Sequence, residues 1–174
     1  MKIISTTSRR HTESVREYQT RVAEVCSRLN ADGVRYILVG ATAMQLWGTT
    51  RATRDIDILI EPTEENAARV LTALSHLGFG IAAEHLPADV VNRAVTMIGD
   101  IPNVDILTRA WNLRWSDAKD HAISFDVEGV QIPTASIDDL IASKQTGRLQ
   151  DAADIEVLEQ IKRFRAEMIP PASL

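Results

Sequence analysis

The run Asp55-Ile56-Asp57-Ile58-Leu59-Ile60, closed off by Pro62, sets acids against apolar residues at a spacing of two. That period belongs to a strand and not to a helix. It turns Ile56, Ile58 and Ile60 towards a core and leaves the carboxylates of Asp55 and Asp57 side by side on the other face. Whatever this chain folds into must include a sheet with this strand in it. The acidic face then needs an answer to its own repulsion: neighbouring carboxylates are relieved by a raised pKa or by a cation, here a hard one, because only oxygen ligands are offered. An EF-hand is excluded, since Leu59 and Ile60 stand where that loop needs an oxygen ligand and a glycine.

The rest of the chain supplies elements for such a sheet. Val15, Tyr18, Val22, Val25, Cys26 and Leu29 recur at helical spacing between about Thr12 and Asn30, with Gly33 placed for a left-handed stop. Arg35 to Val39 reads as a short buried strand, and Gly40 marks a turn into a short helix over Ala41 to Trp47. Thr63 caps a helix carrying Ala67, Val70, Leu71 and Leu74 and closing at Gly78. A loop with a short helix is expected over Ile81 to Asn92, then strands at Ala94 to Ile98 and Val104 to Leu107. Ile123 to Val127 and Val130 to Ile132 form a hairpin turned by Glu128-Gly129. Two helices close the chain, one from a cap at Ser136 through Lys144, the other from Asp151 to about Met168, ended by Pro170-Pro171.

Composition narrows the function. A formal net charge of −5 argues against gripping nucleic acid over a long basic surface. One cysteine, Cys26, excludes an internal disulfide framework and a Cys-based zinc site, and points to a reducing, cytoplasmic setting. Met1 to His11 lacks an apolar segment of signal-peptide length, and no stretch has the length of a membrane span, so a soluble protein with no membrane partner is expected.

Asp105, set among Val104, Ile106 and Leu107, offers a third carboxylate if its strand lies beside the first. Three such acids could hold Mg²⁺ and align triphosphate oxygens for displacement at phosphorus. The plainer readings stand beside this one. An Asp-x-Asp arises by chance in an acidic chain, and Asp105 alone also fits a turn cap. Arg51 and Arg54 suit either phosphate or a local ion pair with the aspartates. Lys144 and Arg148, four apart, also fit an ordinary solvated helix face. Trp47, Trp111 and Trp115 are too scattered for a base-stacking platform; the last two suit a core or a partner surface. The four histidines have no ligand spacing and no nucleophile partner.

The stretch Val39-Gly40-Ala41-Thr42-Ala43-Met44, then Gly48, Arg51, Thr53 and Asp55-Ile56-Asp57-Ile58, resembles the signature of the nucleotidyltransferase superfamily, in which a Gly-Gly or Gly-Ser turn precedes a D-x-D strand. Asp139-Leu140-Ile141, Lys144, Arg148, Asp151 and Asp154 are similar to the carboxy-terminal signature of its AbiEii-type toxin branch, so the resemblance runs from about Val34 to Leu158. It implies an α/β (α+β) nucleotidyltransferase fold, a mixed sheet flanked by helices, in one domain over residues 1–174. Within it, 1–33 would be an amino-terminal helix, 34–133 the catalytic core and 134–169 the carboxy-terminal helices. It implies Asp55, Asp57 and Asp105 as Mg²⁺ ligands and catalytic acids, and Gly40, Ala41 and Thr42 as a phosphate-binding turn to which Thr42 adds a hydroxyl contact. Lys144 would reach the triphosphate, with Asp151 positioning it. The sequence departs from the pattern at Ala41, where Gly or Ser is usual, so a hydroxyl contact is missing.

The implied reaction moves a nucleoside monophosphate from an NTP such as ATP to an acceptor hydroxyl: a tRNA 3′ end, a protein, or a small molecule such as an antibiotic. The toxin branch also implies an antitoxin or other operon partner. A non-catalytic module that binds NTP or a partner is the rival reading, which Ala41 favours and the three acids oppose.

Overall fold

The computed structural model describes residues 6–99 and 103–168, with side chains from residue 16 onward. The chain opens with helix α1, Thr6–Ala31, stopped by Gly33 at φ +64°. It begins before Thr12 because apolar spacing marks only the part of a helix that packs against a core, and Val22, Val25, Cys26 and Leu29 are the buried ones. The side chain of Val15 and the Pro170-Pro171 stop lie outside the described residues.

Strand β1 (Tyr36–Val39) runs into α2 (Gly40–Trp47), β2 is Asp55–Ile60, and α3 is Glu64–His76. Thr63 caps α3, its hydroxyl accepting from the Asn66 N–H at 3.2 Å. A 3₁₀ turn (Gly80–Glu84) and α4 (Pro87–Asn92) lead to β3 (Val95–Ile98) and β4 (Asn103–Leu107). Next come two very short strands, β5 (Arg109–Ala110) and β6 (Leu113–Arg114), and α5 (Trp115–Ala118). The hairpin β7 (Ile123–Val127) and β8 (Val130–Thr134) turns at Glu128-Gly129, both with positive φ, the primed-turn geometry that suits strand twist. Helix α6 (Ile137–Ser143) is capped by Ser136, and α7 (Leu149–Met168) closes the described chain. Lys144 therefore caps the end of α6 instead of lying inside it.

Six strands form one mixed sheet in the order β3-β4-β2-β1-β8-β7. β1 and β2 are antiparallel, while β2 with β4 and β1 with β8 are parallel, as crossover connections through helices require. Ile56, Ile58, Ile60, Val104 and Ile106 are essentially fully buried, and so occupy the helix-covered face that the alternation of the sequence demands. The other face is closed over β1 and opens towards β3: all four β1 residues are buried, whereas Val95 and Met97 on β3 are exposed. The acids sit where that face begins to open.

Trp47 holds the far side together. Its indole N–H donates to the Ala135 carbonyl at 2.8 Å, its ring meets Phe125 edge-on at 5.1 Å, and the Arg165 guanidinium of α7 lies 4.7 Å above it. Among the described residues, no helix is long and apolar enough to cross a membrane.

Candidate active site

Gly40, at φ +65°, is the junction of β1 and α2. A Cβ built there would lie 2.0 Å from Asp57 Oδ2 and 2.9 Å from Asp57 Cβ. Glycine is thus required twice over, by the backbone angle and by the carboxylate pressed against it. The register explains the closeness, because Val39 pairs with Asp57 across β1 and β2. No side chain caps the amino end of α2, so the first N–H groups of that helix, which begins beside Asp57, have no acceptor within the helix.

On its other side Asp57 pairs with Asp105 across the parallel β2–β4 ladder, while Asp55 pairs with Asn103. Matching positions of neighbouring strands point the same way, so three carboxylates share one patch of sheet. Asn103 Nδ2 donates to Asp55 Oδ1 at 3.1 Å. Burial, with the charges of Asp105 and Asp55 added, pushes the Asp57 carboxyl up to about 6. Asp105 is raised by burial and then by Asp55. The positive charges of Lys144 and Arg51 act on Asp57 in the opposite sense but do not offset its rise. Among the described residues no three His, Cys, Asp or Glu side chains make a ready cage for a metal ion. Mg²⁺ does not need one, since it usually takes one or two carboxylates and fills its shell with water and phosphate oxygens.

A cavity of about 850 Å³ is lined by Gly40, Ala41, Asp55 and Asp57, by Lys144, Thr146 and Arg148 from the segment joining α6 to α7, and by Asp151 of α7. Lys144 Nζ bridges Asp151 Oδ1 at 3.1 Å and Asp154 Oδ2 at 2.9 Å. Asp154 also pairs with Arg51, which lines the same cavity. Asp151 takes a further bond from the Thr146 hydroxyl. Burial raises its pKa, but Thr146 and Lys144 outweigh that and hold the carboxyl below its ordinary value. The helix-face reading of Lys144 fails because its side chain is only 13% exposed.

A sequence profile described as "Nucleotidyltransferase of unknown function (DUF6036)" matches residues 16–169. The chain belongs to this nucleotidyltransferase family. Among solved structures it is similar to an antigenic nucleotidyltransferase-like protein from Paracoccidioides brasiliensis, with a TM-score of 0.56 and 14% identity, over 85% of this chain and 76% of that one. At such identity the likeness concerns the fold alone. No curated protein sequence matches the chain.

In this member of the family the elements named from sequence converge only in part. Gly40, Ala41, Arg51, Asp55, Asp57, Lys144 and Asp151 all line the cavity. Asp105 stands one strand over, half-buried, and is not itself a lining residue. Thr42 must be corrected. It is 2% exposed, and its hydroxyl lies 2.7 Å from the Tyr18 hydroxyl and 3.0 Å from the Asp55 carbonyl, which Tyr18 also reaches at 2.9 Å. Its hydroxyl joins α1, α2 and β2 and is not free to meet phosphate. Arg54 is exposed and outside the cavity lining, and the ion pair considered for Arg51 is made with Asp154, not with the strand acids.

Several lining residues were given no site role from sequence: Thr53 entered only as part of the signature, Trp111 only as a core or partner-surface residue, and Arg109 and Arg114 not at all. Thr53 orders the start of β2 by accepting from the Asp55 N–H at 3.2 Å. Arg109, Trp111 and Arg114 come from the β5–β6 hairpin. Strands of two residues carry no periodicity to detect.

Proposed function

We propose that this family member is a Mg²⁺-dependent nucleotidyltransferase that moves a nucleoside monophosphate from a nucleoside triphosphate to an acceptor hydroxyl. A bond forms between the acceptor oxygen and the α-phosphorus. The bond from the α-phosphorus to the β-phosphate oxygen breaks, and pyrophosphate leaves with the electron pair. The observation that carries the reading is the wedging of Asp57 between Gly40 and Asp105, which sets a crowded acid patch against the uncapped start of α2.

The donor set fits Mg²⁺: all its atoms are carboxylate oxygens, and the raised pKa of Asp57 marks a group that a cation would return to its charged form. Asp55, Asp57 and Asp105 would hold the ion, which supplies charge neutralisation at the triphosphate oxygens. Gly40 lets the backbone N–H groups of α2 come close to phosphate. Lys144, held in place by Asp151 and Asp154, adds a cation to the same cavity. Asp105 is the base proposed to accept the acceptor's proton.

For the acceptor, the AbiEii-type resemblance favours a tRNA 3′ hydroxyl, with an operon-encoded antitoxin as partner. Protein and small-molecule hydroxyls are the other acceptor classes.

Titration calorimetry with each NTP tests the site before any acceptor is known. Binding should require Mg²⁺ and fall at least about tenfold in Asp57→Asn, a loss of about 1.4 kcal/mol or more. Binding that is indifferent to both chelator and substitution would remove the support for a metal–nucleotide site.

A further inference from the structure

The β5–β6 hairpin carries three locally unfavourable features at one place. Ala110 pairs with Leu113, so Trp111-Asn112 is a two-residue loop, and Trp111 takes φ +55°. Such loop positions go to Gly, Asn or Asp, because a bulky side chain at positive φ is strained. Its indole is 54% exposed although it is a large apolar surface. Arg109 and Arg114 face each other across the two strands, both exposed and with no acidic partner among the described residues, where like charges repel. Leu113 is 3% exposed and Trp115 packs against the core, so the base of the hairpin is anchored and the loop is held out. Trp111, Arg109 and Arg114 all line the cavity that contains Asp55 and Asp57. The apolar Leu107 and the exposed Val95 belong to the same lining.

We infer that the β5–β6 hairpin is the nucleobase subsite of this enzyme, with the Trp111 indole stacking on the base of the donor nucleoside triphosphate. An aromatic face beside two unpaired guanidinium groups suits a ligand that is flat, polarisable and rich in acceptor atoms, which a nucleobase is. The spacing agrees. Leu107 lies two residues beyond Asp105 on β4, about 7 Å along the strand, which leaves room for a sugar between a phosphate at the acids and a base over Leu107 and Val95. A cavity of about 850 Å³ is of the size that takes a single small ligand. Stacking is tolerant of base identity, so Trp111 supplies affinity for nucleosides in general and the two arginines touch the base edge.

The inference rests on the nucleotidyl-transfer reading, and the test separates the two. Binding of each of the four NTPs and of inorganic tripolyphosphate, all with Mg²⁺, is measured for wild type, Trp111→Phe and Trp111→Gly. Trp111→Gly should weaken NTP binding about 5- to 150-fold and leave tripolyphosphate binding unchanged. Its Tm should not fall, since glycine accepts the positive φ without strain. Trp111→Phe should retain most of the NTP affinity. Unchanged NTP affinity in Trp111→Gly would overturn the subsite, as would an equal loss for NTP and tripolyphosphate together with a lowered Tm. A wild-type protein that binds neither probe would instead contradict the nucleotidyl-transfer reading, and the subsite with it.

Discussion

Asp57 is where the fold and the proposed chemistry pull against each other. It lies between Gly40, Asp55 and Asp105, and burial with those charges pushes its carboxyl from the ordinary 3.8 up to about 6. The folded state then holds this proton more tightly than the unfolded chain. Stability must fall as pH rises from about 4 to about 6 and stay lower above that range. In the absence of metal, Asp57→Asn should therefore be more stable than wild type at pH 7.5, by on the order of 2–3 kcal/mol, with the gap closing below about pH 4. Chemical denaturation at several pH values measures this, and added Mg²⁺ should stabilise only wild type. A variant that is less stable at neutral pH would mean that the carboxylate is satisfied as it stands. The position of Asp57 was legible in the sequence because alternation fixes which face a strand residue takes. Its pressure against Gly40 follows from strand register, and pairing partners far apart in the chain leave no local trace.

At the scale of elements, α7 and the loop after α2 are joined by charges. Asp154, 6% exposed at its side chain, accepts from Arg51 and forms an ion pair with Lys144, and so ties the carboxy-terminal helix to two cations that line the cavity. Removing one partner of such a network leaves the others without compensation. Asp154→Asn should cost about 2–3 kcal/mol, discounted because Arg51 is partly solvated, and lower Tm by roughly 5–10 °C. Asp138→Asn, which breaks the exposed pair with Lys162, should leave Tm unchanged. Equal effects from the two would show that burial of the network does not matter. The long helices and the β7–β8 hairpin were readable because apolar period and turn residues act over many positions or at one decisive one, as at Gly129. The β5–β6 hairpin was not. Its strands are too short for a pattern, and Trp111 occupies a loop position that its own propensity disfavours, which is where local rules are expected to fail at a functional site.

For the whole molecule, the charge balance and the cavity have to be read together. A chain with a net charge of −5 gathers Arg51, Arg109, Arg114, Lys144 and Arg148 round one cavity that Asp55, Asp57 and Asp151 also line. Charges of both signs round one cavity suit a metal and a polyanion bound together better than a long nucleic-acid strand. Net charge alone, being a sum, could not reveal that arrangement. Transfer of label tests most directly whether this cavity moves nucleotides. Purified protein is incubated with each α-labelled NTP and Mg²⁺, and with total tRNA, a protein extract or no acceptor, alongside Asp57→Asn. Label should enter one acceptor fraction with release of pyrophosphate, and should be lost with the substitution or with chelator. NTP that binds but leaves every fraction unlabelled would contradict nucleotide transfer and leave a nucleotide-binding module on the same fold.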